Sequence, residues 1–367
     1  MEQVRNPFTP SFGMVPPVMA GRTRLIREME RAFDDGLGNP NLSTILVGAR
    51  GAGKTALLSR IGEVASQHGW VQVNVAAASG MLEDIIQQAG KAAAHLIDPV
   101  PTRKLSAIGV GQILNLEWVF EDSGTANWRS RIEALLDQIE ERGSGLLITV
   151  DEVRATVEEV VLLVSTYQLL IREGHSVALV MAGLPSDVTD LIADERVTFL
   201  RRARQQYIGR IEDGEVKLAL RRTIEAVGKT IEPEALELAA ASIGGFAYML
   251  QLVGYFMWEE AWTSQAITAE DARRGIAEAR EDFRRGVLEA TVREMSEKDL
   301  AFALAMLDDS NGSRLVDIAA RMGVTNGYAS TYKRRLLKQG VIGERPGGRL
   351  DFDIPLLREY LDEFYTE

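Results

Sequence analysis

The sequence predicts an α/β protein with a three-layer α/β/α core, followed by an all-helical region and a small C-terminal helix-turn-helix domain. The first half contains short apolar segments of the kind that form buried strands, at 42–47, 69–76, 145–152 and 175–185. Helical apolar patterns separate these segments. Because strand and helix alternate, we expect the sheet to be parallel and doubly wound.

Composition narrows the function classes. The 367 residues carry a net charge of −12 and include no cysteine, which excludes disulfides, thiolate metal sites and cysteine nucleophiles. No segment reaches the roughly 20 apolar residues of a membrane helix, and the N-terminus lacks the apolar core of a signal peptide. We therefore expect a cytoplasmic protein without a membrane partner. Its acidic surface would bind nucleic acid only at a local basic patch.

A glycine-rich stretch, GARGAGKT, lies between the first predicted strand and a predicted helix over 54–69. Its spacing, G-x-x-x-x-G-K-T, is typical of a phosphate-binding loop. Glycines allow successive N–H groups to turn inward around an anion, and the following helix directs its positive end to the same place. Lys54 is expected to reach the β- and γ-phosphates, where it is also a catalytic candidate, and the Thr55 hydroxyl to bind Mg²⁺. The predicted phosphate-binding residues are Gly48, Gly51, Ala52, Gly53, Lys54 and Thr55.

Two acids end the third predicted strand. The segment GLLITVDE delivers Asp151 and Glu152 at the carboxyl edge of the sheet, where ligands bind in open α/β folds. We expect Asp151 to hold Mg²⁺ through its water shell, and Glu152 to orient and deprotonate an attacking water. A strand capped by two solvated acids is the alternative, and the upstream loop makes it the minority interpretation.

With these motifs the chain resembles the AAA+ ATPases, and among them the STAND and archaeal-initiator-like ATPases that end in a winged helix. The resemblance covers nearly the whole chain. It implies a P-loop AAA+ core, an all-α lid, and ATP or ADP with Mg²⁺ as cofactors. The domains would be an N-terminal linker and adenine-pocket segment (1–40), the core (41–206), the lid (207–290) and the winged helix-turn-helix (291–367). Alternating apolar residues within the core predict a β-hairpin insertion at about 103–122.

The resemblance also assigns residues beyond the phosphate loop. Gly21 and Arg22 match the segment that lines the adenine pocket in the family. Arg202 occupies the place of the arginine finger that reaches a neighbouring subunit, although a solvated basic face explains it equally well. The chain departs from the family at the end of the fourth strand, where Ala182 and Gly183 replace the usual polar sensor. It also lacks a basic residue at 244–247, where many lids place an arginine against the γ-phosphate.

The C-terminal part predicts a helix over EMSEKDLAFALAML, then a helix, a turn and a second helix, and then two short strands about a Pro-Gly-Gly turn. Helix, turn, helix and two strands form the winged helix-turn-helix arrangement. Between Arg321 and Leu350 seven basic residues accompany one acid, Glu344. This patch favours double-stranded DNA as a partner. A docking site for a protein partner is the alternative. The predicted DNA-binding residues are Asn326, Tyr328, Ser330, Thr331, Lys333, Arg334, Arg345 and Arg349.

These features together predict an ATP-binding and slowly ATP-hydrolysing molecular switch that couples nucleotide state to the winged helix. The alternative is a non-catalytic nucleotide-binding regulator whose winged helix docks a protein. The acid pair favours the enzyme, and the absent sensor residues favour the regulator. Nucleotide-dependent homo-oligomerisation stays open, because it depends on the role of Arg202.

Overall fold

A computed structural model describes residues 5–11, 13–96 and 128–366 of the chain. Its central feature is a five-stranded parallel sheet with the order β2-β3-β4-β1-β5. The strands are β1 (Ser43–Val47), β2 (Val71–Ala76), β3 (Leu146–Asp151), β4 (Val177–Gly183) and β5 (Arg204–Tyr207). The helices of this region are α1 (Thr23–Asp35), α2 (Lys54–Gln67), α3 (Met81–Leu96), α4 (Trp128–Glu140), α5 (Glu158–Glu173) and α6 (Pro185–Ala193).

Helices cover both faces of the sheet because its central strands are apolar at successive positions. On β1, Ile45 points into the cluster formed with α3, α4, α5 and α6, whereas Leu46 points into the cluster formed with α1 and α2. Alternating side chains of a strand face opposite sides, so a strand buried on both faces must be apolar throughout. The predicted fold class is therefore confirmed in its core.

The fifth strand was not predicted. Its sequence is Arg-Gln-Gln-Tyr, three of its four residues are exposed, and it pairs with β1 at the edge of the sheet. A short 3₁₀ segment, Glu195–Arg202, leads into it. An edge strand is held by backbone hydrogen bonds along one side only, so it needs little apolar side chain to form.

A helical lid follows the sheet, as the sequence predicts. It consists of α7 (Asp213–Glu225), α8 (Pro233–Ile243), α9 (Ala247–Glu260) and α10 (Ala269–Phe283), with a two-stranded parallel pair of β6 (Thr230–Ile231) and β7 (Ala266–Ile267). A capping box between Thr268 and Asp271 starts α10. This helix continues through a π-helical segment, Arg284–Leu288, into α11 (Glu289–Glu294).

The C-terminal domain has the predicted order of helices and strands. It contains α12 (Glu297–Leu304), α13 (Leu315–Arg321), α14 (Asn326–Gln339), the antiparallel hairpin β8 (Ile342–Arg345) and β9 (Arg349–Phe352), and α15 (Leu357–Tyr365). One continuous apolar cluster joins this domain to the lid. The predicted domain boundaries stay a prediction, and the one at 290 falls inside the helix that runs from α10 into α11.

The predicted β-hairpin insertion at about 103–122 lies outside the described residues. Among the helices that the structure describes, none has the length and apolar character needed to cross a bilayer.

An ion pair between an exposed arginine and a buried carboxylate connects two helices of the C-terminal domain. Asp299, 1% exposed, accepts hydrogen bonds from the Ser296 backbone N–H (3.1 Å) and hydroxyl (2.8 Å). Its own N–H donates to the Ser296 hydroxyl oxygen at 3.2 Å, which completes a capping box at the start of α12. Arg335 on α14 donates from Nε to the same carboxylate at 2.8 Å. The guanidinium thus neutralises a carboxylate that would otherwise be buried without a cation.

We expect Arg335→Met to lower the free energy of unfolding by about 2 kcal/mol, because it leaves the Asp299 carboxylate buried without its cation. Arg334→Met is the matched control, since Arg334 is exposed and has no ionic partner within the described part of the chain. Urea denaturation of the two variants measures the difference. Equal stabilities would show that the ion pair contributes nothing.

Candidate functional site

The glycine-rich loop joins β1 to α2, as predicted. Gly51 and Gly53 adopt left-handed φ values of 72° and 87°, and Gly53 is the residue that precedes the first turn of α2. Lys54 opens that helix, and its Nζ donates to the carbonyl oxygens of Gly48 and Ala49 at 2.8 Å each. The loop therefore curls around the lysine ammonium at the positive end of a helix, which is a site suited to phosphate.

The two predicted magnesium ligands lie side by side. The Thr55 hydroxyl donates to Asp151 Oδ2 at 2.6 Å, across the gap between α2 and the end of β3. The other oxygen of Asp151 accepts from the backbone N–H of Glu152 at 2.9 Å. A hydroxyl and a carboxylate are oxygen ligands of the kind that Mg²⁺ prefers, so this pair fits the ion.

Glu152 is placed differently from Asp151. Its side chain is 73% exposed, and its carboxylate lies 3.7 Å from the guanidinium of Arg154. Its backbone has a φ of 54°, a conformation that costs a non-glycine residue free energy and that clusters at functional sites. This left-handed residue directly follows Asp151 at the carboxyl end of β3, and its role as the base stays a prediction.

The loop forms one wall of a cleft of about 430 Å³. Residues Tyr207–Arg210, which follow β5, form a second wall, and Gly245 and Phe246 at the start of the lid helix α9 form a third. The lid comes close to the loop itself, because the Tyr248 N–H points at the Gly51 carbonyl at 3.4 Å. The cleft therefore lies between the core and the lid.

The fourth wall belongs to the C-terminal domain, which sequence analysis did not expect here. Arg345 from β8 and residues Asp351–Asp353 at the end of β9 line the cleft, and Arg345 Nη2 binds Asp353 Oδ1 at 2.7 Å. The end of α14 packs on the loop as well, since Gly340 lies against the aliphatic part of Arg50. A single acidic residue after a strand is common, so the sequence around Asp353 does not indicate that this residue lines the cleft.

Lys54 is influenced by nearby charges, of which Asp353 lines the cleft whereas Asp151 and Glu152 do not. Burial lowers the pKa of its ammonium, and the carboxylates of Asp151, Glu152 and Asp353 act in the opposite direction. A partly desolvated ammonium attracts an anion more strongly than a hydrated one does, whereas the nearby carboxylates oppose the anion unless a cation screens them.

The predicted adenine-pocket residues do not line this cleft. Gly21 and Arg22 line a separate, larger space of about 730 Å³, which shares Arg210 with the cleft. Arg22 Nη2 donates to the Gly209 carbonyl at 2.7 Å, and burial lowers the pKa of its guanidinium. Gly21 packs within van der Waals distance of Ile211. Both residues are thus joined to the segment after β5 that forms the second wall. Contact with a base stays a prediction.

The missing sensor at the end of β4 has a steric counterpart. A Cβ atom at Gly183 would lie 2.9 Å from Val188 and 3.0 Å from Val153. The Gly183 carbonyl also accepts from the Gly48 N–H at 3.3 Å, next to the phosphate loop. The space that a polar sensor would need is filled by valine side chains.

Arg202 is exposed and has no ionic partner among residues 5–11, 13–96 and 128–366. It precedes β5, whereas the phosphate loop follows β1. Since the sheet is parallel, Arg202 lies at the opposite edge of the sheet from the cleft of its own chain. Only another molecule could bring such an arginine to the cleft, so the finger assignment stays a prediction.

The predicted DNA-binding residues fall into two groups. Asn326, Tyr328, Thr331 and Arg334 are exposed on α14, and Ser330 is half-buried there. Three of the basic residues are engaged within the domain: Lys333 pairs with Glu344 (2.6 Å), Arg345 pairs with Asp353, and Arg349 donates to the Gly312 carbonyl (2.6 Å). Fewer basic side chains of this patch are therefore available to bind DNA than the sequence indicates.

We expect Gly183→Ala to lower the free energy of unfolding by about 1–3 kcal/mol, because the new methyl group meets Val153 and Val188 in a packed site. Gly214→Ala is the control, since a Cβ there has no heavy atom within 4 Å among the described residues and the helix gains propensity. Thermal denaturation compares the two. If Gly183→Ala is as stable as the unchanged protein, the valines leave room for a sensor.

Comparisons with known proteins agree with this architecture. A family model described as a domain of unknown function, DUF8462, matches residues 285–361. A search of curated proteins finds no match. Among solved structures, the ADP form of the Aeropyrum pernix ORC2 protein is 16% identical with a TM-score of 0.52, over 96% of each chain.

Two other similar structures have lower scores. The Aeropyrum pernix ORC1 protein in complex with DNA is 18% identical with a TM-score of 0.46, over 95% of this chain and 94% of that one. The Thermotoga maritima RuvB Holliday junction branch migration motor is 16% identical with a TM-score of 0.46, over 97% and 100%. At such identities the likeness to ORC2 concerns the fold alone: an α/β core, a helical region and a C-terminal domain in one order.

Proposed function

We propose that this protein is an ATP-binding and slowly ATP-hydrolysing switch of the AAA+ type, whose nucleotide state sets the position of the C-terminal domain. The observation that carries the proposal is the cleft. The phosphate loop, the segment after β5, the start of the lid and the C-terminal hairpin all line one space. A ligand bound there would contact the core, the lid and the C-terminal domain at the same time.

Different residues would bind the phosphates, the base and the Mg²⁺ ion. The loop N–H groups and Lys54 would hold the phosphates, and Gly21 and Arg22 would lie beside the base. Thr55 and Asp151 would hold Mg²⁺, which neutralises phosphate charge when bound. The resemblance to ATPases with these motifs, and the fold shared with a protein solved in its ADP form, support an adenine nucleotide as the ligand.

Hydrolysis would depend on Glu152, which is exposed next to Asp151 at the carboxyl end of β3 and would accept a proton from water. Two features support a slow rate. Valine side chains fill the sensor position, and Arg202 is at the far edge of the sheet from its own cleft. Fast turnover would then require a second copy that supplies Arg202, which makes nucleotide-dependent self-association part of the proposal.

The coupling to the C-terminal domain would be electrostatic. Asp353 lies close enough to Lys54 to influence its pKa, and the same carboxylate holds Arg345. Phosphates on the loop would attract Arg345 and repel Asp353, because like charges at short range are unfavourable in a partly desolvated cleft. The hairpin would therefore shift when nucleotide binds or loses its γ-phosphate.

For the output of the switch we propose that the C-terminal domain acts as a winged helix that binds double-stranded DNA. The second helix of such a domain enters the major groove by its N-terminal half. In α14 that half is exposed and presents Asn326, Tyr328 and Thr331, with Arg334 beside them. Its C-terminal end packs on the core, so a shift of the domain would change the access of DNA to the helix.

A protein partner is the second candidate for the output. It is favoured by the internal ion pairs of Lys333 and Arg345, which lower the free positive charge. The aromatic pair of exposed Tyr328 and half-buried Tyr332 also favours it, with ring centroids 5.2 Å apart and hydroxyls 2.9 Å apart. Aromatic side chains of this kind are enriched in protein interfaces.

The nucleotide assignment predicts opposite results for two substitutions. Lys54→Ala removes the phosphate-binding cation, so Mg·ATP binding should become unmeasurable. Glu152→Gln keeps the size of the side chain and removes the base, so binding should persist while turnover falls by roughly a hundredfold. Isothermal titration calorimetry and a phosphate-release assay measure the two effects.

Lys91→Ala, which removes an exposed lysine from α3, is the control for charge alone. Unchanged affinity in a folded Lys54→Ala protein would contradict the phosphate-loop assignment. Turnover at the original rate in Glu152→Gln would remove Glu152 as the base. Tight binding without turnover in the unchanged protein would favour the non-catalytic regulator.

The DNA assignment predicts a salt effect at one exposed arginine. Arg334→Ala should reduce the slope of log affinity against log salt by about one and weaken binding to all duplexes alike. Asn326→Ala should instead change the preference among sequences. Lys298→Ala, an exposed residue of α12, is the control. Fluorescence anisotropy of the full chain with Mg·ADP and with a non-hydrolysable ATP analogue measures these effects. If no duplex binds at low salt in either state, the protein-docking function replaces this one.

A further inference from the structure

The described N-terminal residues form a strap across the molecule, which we define as residues 5–11 and 13–22. Its first part is fastened to the lid helix α9. Asn6 Nδ2 donates to the Tyr255 carbonyl (3.2 Å) and to Glu259 Oε1 (2.7 Å), and the Thr9 N–H donates to Gln251 Oε1 (3.1 Å). These partners follow one face of α9, so the strap runs along the helix.

An aromatic ring fixes the strap in place between these hydrogen bonds. Phe8 is 2% exposed and belongs to the apolar cluster of the lid. Its ring lies directly on Gly254, where a Cβ atom would overlap the ring. The Asn6 side chain orients the same residue by accepting the Phe8 N–H at 3.0 Å. The Phe8 ring thus fills a gap on α9 that exists only because residue 254 is a glycine.

The other end of the strap lies between the lid and the core. Val18 and Ala20 pack against the lid cluster, whereas Met19 between them packs against the cluster under the sheet. Gly21 and Arg22 then contact the segment after β5, as described above. The strap therefore touches the lid at both ends and the core at one.

The composition of the strap suits it to transmit a displacement. Pro10, Pro16 and Pro17 lie between the anchor at Phe8 and the sandwiched residues at 18–20. Proline fixes φ and reduces the number of backbone conformations, so such a segment is stiffer than an ordinary loop. Gly13, with a left-handed φ of 71°, is a flexible position in the same stretch, but the three prolines still limit how much of a movement of α9 at Phe8 is lost before residues 18–22.

We propose that Phe8 is a positioning residue for the nucleotide: by anchoring the strap to α9, it sets the place of residues 18–22 against the base when the lid closes. Phe8 does not itself line the cleft. The inference rests on the proposed function, and it names the base end of an adenine nucleotide as the part of the ligand that the strap holds.

The test is a double-mutant cycle on the affinity for Mg·ADP, measured by calorimetry on the full chain. Phe8→Ala removes the ring, and Gly254→Ala places a methyl group where the ring lies. Each substitution should therefore weaken Mg·ADP binding about tenfold, mainly through faster dissociation. Because both break one contact, the double variant should be no weaker than the weaker single variant. Asn6→Ala, which leaves the apolar cluster intact, should weaken binding in the same direction by a smaller factor.

Leu236→Ala is the control, since Leu236 is buried in the same cluster on another lid helix, α8. It should lower the melting temperature and leave Mg·ADP affinity unchanged. Equal loss of affinity in this control, or additive losses in the double variant, would overturn the role of Phe8. Original affinity in all strap variants would overturn it alone, whereas an unchanged protein that binds no nucleotide would overturn the proposed function with it.

Discussion

The structure depends on the close approach of two segments, the phosphate loop and the start of the lid helix α9, to residues 208–211, the short stretch that leads from the sheet to the lid. A Cβ atom at Gly48 would lie 2.6 Å from the Ile208 carbonyl, and one at Gly245 would lie 2.5 Å from the Ile211 carbonyl. The Ile211 N–H also donates to the Gly245 carbonyl at 2.8 Å. Only residues without side chains allow the phosphate loop and the lid to reach the same backbone. The cleft between them is a consequence of this contact.

The sequence predicts the parts of this arrangement that have a strong local period or a fixed motif. The strands β1, β3 and β4 are largely apolar because helices bury both of their faces, whereas β2 alternates apolar and polar residues. The phosphate loop has its glycines where left-handed φ values occur. The fifth strand has neither signal, since hydrogen bonds to β1 hold it at an edge that is largely solvated. Its position nevertheless decides where residues 207–210 meet the loop.

The remaining part of the site depends on contacts between residues far apart in the chain. The basic patch looks free when only residues 321–350 are counted, but its partners include Asp299, Asp309 and Asp353, which lie outside that window. Folding brings these carboxylates to the arginines, and it turns Arg345 toward the phosphate loop. Neither pattern nor spacing contains this information, because ion pairs between separate elements leave no periodic signal.

The uninterrupted helix from Ala269 to Glu294 gives the lid a mechanical property. Its 26 residues, including the π-helical segment, would span about 39 Å at 1.5 Å per residue. The helix starts in the lid and ends next to the C-terminal domain, so a tilt of its first turn would move that domain. A tilt of about 5° at the base would displace the far end by roughly 3 Å. The π-helical segment is the place where such a helix can flex, and the Arg284 ion pairs with Glu281 and Glu289 span it as a brace.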